Sequence, residues 1–188
     1  MKTIGFALCG SFCTFKKVIP QLEALCDSGY NVVPIMSPAA YTTDTRFGTA
    51  EGFISKIEAK TGNAVIHTIK DAEPIGPKKM LDALIVAPCT GNTLGKLANG
   101  ISDTCVTLAV KAHLRNQRPV ILAVSTNDAL GASAKNIGAL MNMKYMYFVP
   151  MRQDDCINKP NSVVADFEKI PEALESALNS IQLQPILI

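Results

Sequence analysis

The chain opens with the apolar run Ile4-Gly5-Phe6-Ala7-Leu8-Cys9 and the turn Gly10-Ser11, and Thr14 follows three residues later. The run predicts a strand over residues 4–9, because a short, continuous apolar segment closed by turn residues is typical of a strand buried on both faces. After Thr14, apolar residues recur at helical spacing until Gly29, where a helix would end. This strand–turn–helix unit is the one with which an open parallel sheet begins.

Apolar runs and helical patterns then alternate along the whole chain. We predict further strands over residues 32–36, 64–69, 84–87, 120–124 and 145–149, and helices over residues 51–60, 94–99, 103–116 and 130–141. The alternation predicts a single α/β domain over residues 1–188: a three-layer, doubly wound parallel sheet of about six strands, Rossmann-like or flavodoxin-like, in the order 3-2-1-4-5-6. A helical tail over about residues 163–188 completes it.

Composition narrows the functional classes. Of the 188 residues, 48% are hydrophobic and 18% are charged, and the formal net charge of +2 is spread along the chain, so nothing points to nucleic acid or to a membrane as partner. No apolar run reaches the roughly 18 residues of a membrane span, and no export signal is visible, so we expect a cytoplasmic protein. The six cysteines form no C-x-x-C pair and the two histidines lie far apart, so we predict reduced, structural thiols and no metal site. We expect His113 at the surface or at an interface.

A ligand site is predicted at one edge of the sheet. In doubly wound sheets, ligands bind beyond the carboxyl ends of the strands where the strand order reverses, here between the first and fourth predicted strands. The loops at that point are residues 10–14 and 88–93, and both carry hydroxyl groups and open a helix. Unpaired N–H groups at a helix start suit a phosphate or a carboxylate. The alternative is that Ser11 and Thr14 only cap the helix. No G-x-G-x-x-G motif supports a dinucleotide.

The second loop, Pro88-Cys89-Thr90-Gly91-Asn92-Thr93, resembles the Pro-Ala-Ser-Ala-Asn-Thr motif of the homo-oligomeric flavin-containing cysteine decarboxylase family. A Gly-Ser pair after the first strand is shared as well. The resemblance implies a Rossmann-like fold that binds FMN and a trimer-based homo-oligomer. It also implies the FMN-binding residues Gly10, Ser11, Thr14, Ser37, Pro88, Thr90, Gly91, Asn92 and Thr93.

Several stretches in order resemble a narrower group of that family, namely residues 45–48, 72–77, 87–92, 114–120, 125–128, 153–155, 159–162 and 182–187. The resemblance implies one subunit of a sporulation oxidoreductase. It would act with an NAD(P)-dependent partner subunit, through which NADP enters, and oxidise a dihydro diacid to the calcium-chelating diacid of spores. Two alternatives stay open. One is a ligand-binding or scaffolding subunit without catalysis, and the other is an FMN-dependent enzyme of the decarboxylase or prenyltransferase kind.

Three residues are candidates for contact with the reacting molecule. Asn127 corresponds to the asparagine of the decarboxylase clamp Pro-x-Met-Asn-x-x-Met-Trp, although the chain has no Trp. His67 lies about where the decarboxylases have their active-site histidine and could act as a general base. Its alternative is a strand histidine bonded to the backbone. Arg46 could bind a substrate carboxylate through a two-pronged contact, or could serve an oligomer contact.

Overall fold

A seven-stranded sheet organises the computed structural model, which describes residues 1–188. Its strands β2, β1, β3 and β4 lie side by side in that order and are all parallel. The strand bounds are β1 (Thr3–Leu8), β2 (Asn31–Met36), β3 (Ala83–Cys89), β4 (Val120–Thr126), β5 (Met146–Phe148), β6 (Met151–Asp155) and β7 (Lys159–Ala165). The predicted α/β fold with a mostly parallel sheet is confirmed.

Strand β4 has two different neighbours along its length. Its first half, from Val120 to Leu122, pairs with β5 in parallel. Its last residues, Ser125 and Thr126, pair with β7 in antiparallel fashion, and β7 forms a hairpin with β6. The hairpin therefore extends the sheet only at the carboxyl end of β4.

Helices cover both faces of the sheet and make three layers. One buried cluster packs α1, α3 and α8 on one face, and a second packs α4, α5, α6 and α7 on the other. The helix bounds are α1 (Phe15–Asp27), α2 (Pro38–Thr42), α3 (Ala50–Thr61), α4 (Ile69–Ala72), α5 (Gly91–Ala98), α6 (Cys105–Leu114), α7 (Ala134–Met141) and α8 (Ile170–Leu178). None of these helices has both the length and the hydropathy that a membrane span requires.

The prediction of a third strand over residues 64–69 is wrong. Only one bridge forms there, between Ile66 and Ile35 of the edge strand β2. Thr68 ends the extended segment because its side chain accepts a hydrogen bond from Asp71 N and caps α4, which begins at Ile69. The other predicted strands keep the expected order, since β2, β1, β3, β4 and β5 correspond to predicted strands 2, 1, 4, 5 and 6.

The predicted helical tail is wrong over its first part. Residues 163–165 belong to β7, and α8 begins only at Ile170. Beyond α8 the chain returns to the sheet: Gln182 Oε1 accepts a hydrogen bond of 2.8 Å from Phe148 N, and its Nε2 donates one of 2.7 Å to Phe148 O. Ile188 N then donates to Met151 O at 3.1 Å. The last residues thus cover the edge of β5 and β6.

Two predictions about single side chains are also wrong. His113 is buried, not exposed, because α6 turns its ring inward, where Nε2 lies 3.1 Å from Pro119 O. Burial lowers the pKa of His113 to about 4. The prediction that all six cysteines are structural does not hold for Cys13 and Cys156, which are exposed, because the first lies in the loop after β1 and the second in the turn of the β6–β7 hairpin.

Candidate active site

A cleft of about 950 Å³ opens at the carboxyl ends of β1, β3 and β4. Most of its lining comes from the loop of residues 10–14, the start of α5, the end of β4 with the turn after it, and the β6–β7 hairpin; Lys16, Lys17 and Phe47 complete it. We call it the central cleft. It lies where the sequence placed the ligand site, since β1 and β3 are the neighbouring strands from which the chain runs outward in opposite directions.

The first loop is fixed to the end of β4. Ser11 Oγ lies 2.9 Å from Ser125 Oγ, so the loop crosses above β3 to reach the next strand. Thr14 Oγ1 donates a hydrogen bond of 2.7 Å to Ser11 O and closes the turn from within. Gly10, Ser11 and Thr14 all line the central cleft. Their hydroxyl and backbone groups are placed to contact a ligand.

The second loop divides into residues that face the cleft and residues that face the core. Thr90, Gly91 and Asn92 line the cleft, and Thr90 Oγ1 caps α5 by accepting a hydrogen bond of 3.4 Å from Thr93 N. Thr93 is buried and donates to Cys9 Sγ at 3.3 Å. Pro88 is buried within β3.

The turn after β4 combines one free side chain with a fixed neighbour. Asn127 is exposed, lines the cleft and makes no side-chain hydrogen bond within the chain. Asp128 Oδ1 accepts hydrogen bonds from Thr126 Oγ1 and, at 2.8 Å, from Ser133 Oγ. These two bonds hold the pKa of Asp128 below its ordinary value. Sequence reasoning missed Asp128, and its only signal was its position directly after Asn127.

Five predicted site residues lie outside the lining of the central cleft: Pro88 and Thr93, which face the core, and Ser37, His67 and Arg46. Ser37 caps α2 and accepts a hydrogen bond from Ala40 N at 3.3 Å. The ring of His67 stacks on Tyr41 with 3.8 Å between centroids, and its Nδ1 lies 3.3 Å from Val65 O. Arg46 stands over the ring of Phe47 at 4.9 Å, and Phe47 itself lines the cleft.

Charges in the central cleft are distributed unevenly. Lys16 and Lys17, at the start of α1, line it and have no carboxylate partner. Lys159 also lines it, but its Nζ is paired with Asp154 Oδ2 at 2.9 Å. The lysines available to an anionic ligand are therefore those at the α1 side of the cleft. No group of three or more His, Cys, Asp or Glu residues is arranged to hold a metal ion.

The residues of the central cleft fit a flavin mononucleotide. A volume of about 950 Å³ lies within the range of small-molecule and cofactor sites. Backbone and hydroxyl groups of the two loops suit a phosphate, and Phe12, Phe47, Val163 and Val164 supply apolar surface. Cys89 and Thr90 are larger than the Ala and Ser at the same places of the decarboxylase motif, but they do not close the site. Cys89 is fully buried below it, and Thr90 Oγ1 turns toward Thr93 Oγ1 at 3.2 Å.

This fold and this cleft define a Rossmann-like α/β protein with a ligand cleft at the carboxyl ends of its parallel strands. The chain belongs to the Flavoprotein family, whose model matches residues 1–179. It is similar to the B subunit of dipicolinate synthase from Bacillus subtilis (strain 168), with 48% identity over 187 residues that cover 100% of this chain and 94% of the relative. The crystal structure of the B subunit of dipicolinate synthase from Bacillus halodurans C superposes with a TM-score of 0.92 at 45% identity, covering 100% of this chain and 96% of that one.

A more distant structure shares the fold alone. The FMN-dependent cysteine decarboxylase SpaF superposes with a TM-score of 0.69 at 22% identity, and the match covers 96% of this chain and 97% of that chain. The architecture is therefore common to relatives with FMN chemistry, while the extended sequence similarity is to the synthase subunits.

Proposed function

We propose that this chain is the B subunit of a dipicolinate synthase in the cytoplasm of the mother cell of a spore-forming bacterium. It would act with an NAD(P)-dependent A subunit to oxidise dihydrodipicolinate to dipicolinate. One observation carries the proposal: the similarity to synthase B subunits runs along the whole chain, and it includes the segments 87–92, 125–128, 153–155 and 159–162 that contribute to one cleft. The cleft suits a small dianion, because two unpaired lysines and several hydroxyl groups line it.

The reaction needs little from this chain beyond placement of the substrate. Dihydrodipicolinate loses a hydride and a proton when its ring becomes aromatic. The hydride reduces NAD(P)⁺ on the A subunit to NAD(P)H, and the proton passes to water. Held in the central cleft, the diacid would face Lys16 and Lys17 with a carboxylate and Asn127 with its ring. Arg46, which lies over the ring of the cleft residue Phe47, is a further proposed partner of a substrate carboxylate.

Of the two proposed catalytic residues we retain Asn127, since its free amide lines the cleft. We assign no step to His67. Its stacking on Tyr41 and the contact of Nδ1 with a backbone oxygen correspond to the structural alternative.

We further propose that FMN binds in the central cleft and that the chain forms trimer-based homo-oligomers. Gly10, Ser11, Thr14, Thr90, Gly91 and Asn92 would contact FMN directly. Ser37, Pro88 and Thr93 would support those loops from behind, since they cap α2, complete β3 and bond to Cys9. When bound, FMN supplies a reversible acceptor of a hydride.

Reconstitution tests the proposed reaction. This chain, its A subunit, NADP⁺ and dihydrodipicolinate should form dipicolinate, followed by its ultraviolet absorbance, whereas each chain alone should be inefficient. The proposal is refuted when the A subunit alone works as fast as the pair.

A scaffolding role without catalysis is the second candidate, and the absence of histidine from the lining of the cleft favours it. Asn92→Ala and Asn127→Ala distinguish the two candidates when the complex is saturated. A large fall in kcat with assembly unchanged supports a contribution of this chain to catalysis, and unchanged kcat supports scaffolding. Asn142→Ala is the matched control, because Asn142 is exposed, lies at the end of α7 and does not line the cleft.

A flavin enzyme of the decarboxylase or prenyltransferase kind is the third candidate, and the shared architecture favours it. Purified protein that is colourless, and that binds no FMN in a fluorescence titration, would exclude this candidate and the proposed FMN site together. The synthase proposal would survive that result, since the hydride acceptor lies on the A subunit.

A further inference from the structure

Backbone hydrogen bonds fix the turn that carries Asn127. Gly131 N and Ser133 N both donate to Asp128 O, at 2.9 and 3.2 Å. Leu130 N donates to Asn161 O at 3.1 Å and so connects the turn to the β6–β7 hairpin. Within this turn, only Asn127 is left with a free side chain that lines the cleft.

The side chain of Asp128 links three elements. Its Oδ1 accepts from Thr126, the last residue of β4, and from Ser133, the residue before α7. Ser133 is 3% exposed, so its hydroxyl group is committed to this contact, and it makes no capping bond to its own helix. We call Gly91, Thr126, Asp128 and Ser133 the Asp128 cluster.

Gly91 brings α5 into the same cluster. A Cβ atom at Gly91 would lie 2.7 Å from Thr126 Oγ1 and 2.9 Å from both Asp128 Oδ1 and Ser133 Oγ. The carboxylate therefore rests against the first residue of α5, where negative charge is stabilised by the helix dipole. The two cleft segments, at α5 and after β4, are thereby held in one fixed relation.

We infer that Asp128 is a positioning residue, which holds the amide of Asn127 toward the molecule bound in the central cleft. This inference rests on the proposed function and adds a residue to it. Asp128 acts through geometry and not through proton transfer, because both of its hydrogen bonds come from hydroxyl groups that would serve an amide oxygen equally well. A displacement of about 1 Å at a reacting group can lower a rate by about 100-fold, so such a support is expected to matter.

The test compares Asp128→Asn, Asp128→Ala, Asn127→Ala and the double variant Asn127→Ala/Asp128→Ala in the reconstituted two-subunit assay. We expect Asp128→Ala to lower kcat by about 10-fold or more with little change in KM, and Asp128→Asn to stay within about 3-fold of wild type. The double variant should be no slower than Asn127→Ala alone, because the two residues act as one unit.

Asp155→Asn is the matched control. Asp155 also fixes a turn through its carboxylate, since its Oδ1 accepts from Ile157 N and Asn158 N, but it does not line the cleft. The kcat of the complex with Asp155→Asn should equal that of wild type. An Asp128→Asn variant as slow as Asp128→Ala would overturn the inference in favour of a role for the charge. Additive losses in the double variant, or no loss in Asn127→Ala, would overturn it as well.

Amide hydrogen exchange judges the inference separately from activity. Peptides covering residues 126–133 should exchange faster in Asp128→Ala than in wild type, and at the wild-type rate in Asp128→Asn and Asp155→Asn. Unchanged exchange in Asp128→Ala would overturn the inference even in an active complex. A wild-type pair that makes no dipicolinate, with exchange as expected, would refute the proposed function and leave the support of this turn by Asp128 standing.

Discussion

The hydroxyl groups of Ser11 and Ser125 meet at 2.9 Å although 114 residues separate them along the chain. Ser11 belongs to the loop after β1 and Ser125 to the end of β4, and β3 lies between these strands. The pair therefore ties the loop of residues 10–14 to the end of β4 within the lining of the central cleft.

Removal of the Ser11 hydroxyl group should leave the Ser125 hydroxyl group without its hydrogen-bond partner. Ser125 is 8% exposed, so Ser11→Ala leaves a buried hydroxyl without a partner and should lower the free energy of unfolding by about 1 kcal/mol. Ser11→Ala/Ser125→Ala should cost less than the sum of the single variants in urea unfolding. Ser55→Ala, on the surface of α3, is the control and should change stability by less than about 0.5 kcal/mol. Strictly additive costs would contradict the pairing.

Gly91 should not tolerate a methyl group. A Cβ at this position would lie under 3.0 Å from three side-chain oxygens of the Asp128 cluster, none of which belongs to a long, flexible side chain. We expect Gly91→Ala to lower the free energy of unfolding by about 1–3 kcal/mol.

Gly138→Ala is the matched control for that prediction. Gly138 lies within α7 with nothing within 4 Å of its added Cβ, so alanine there should raise stability by about 0.5–1 kcal/mol. Thermal unfolding of both variants measures the difference, and equal effects at the two positions would contradict the close approach at Gly91.

Stability should fall on acidification partly because of His113. Its pKa is lowered from 6.5 to about 4 by burial, so the folded state resists the proton that the unfolded state accepts. The contribution is fully present above about pH 6.5 and is lost as the pH falls toward about 4, with a slope of at most about 1.4 kcal/mol per pH unit. His113→Gln should show a flatter profile in urea titrations over this window. Parallel profiles would contradict it.

Thiol labelling should separate two exposed cysteines from three buried ones, with the half-buried Cys26 between the two groups. Cys13 and Cys156 are exposed, whereas burial raises the pKa of Cys9 and of Cys105 to about 11 and disfavours their reactive thiolates. Ellman's reagent should therefore modify two thiols quickly and Cys156→Ser should leave one.

Saturating FMN should slow the labelling of Cys13, which lines the central cleft, and not that of Cys156, which does not. Equal rates at Cys13 with and without FMN would contradict binding of FMN beside the first loop.

Strands that consist of continuous apolar runs could be predicted from the sequence. Leu84 to Ala87 and Val120 to Val124 are fully buried and form β3 and β4 as expected. The β6–β7 hairpin could not be found this way, because most of residues 152–161 are exposed and polar and the strands are defined by pairing with the end of β4.

The site was predictable at the level of loops and not of side chains. Glycines and hydroxyl groups after β1 and β3 indicated where a ligand would lie, because parallel strands bring their carboxyl ends to one edge. The role of Asp128 depends on Thr126, Ser133 and Gly91 meeting in space, and no periodicity in the chain encodes that meeting. His113 was misplaced for a similar reason, since its burial follows from the docking of α6.

Strand β4 pairs with β5 over its first half and with β7 at its end, so one part of the strand supports the core and the other part supports the site. Its first half pairs with β5 in the buried parallel sheet, and its final two residues pair with the hairpin that lines the cleft. The exposed hairpin residues 152–154 and 156–161 can therefore change with few consequences for the buried layers, whereas Met151, Val163 and Ala165 belong to those layers. A scaffold of this kind allows relatives to diversify in substrate preference while they inherit the same fold.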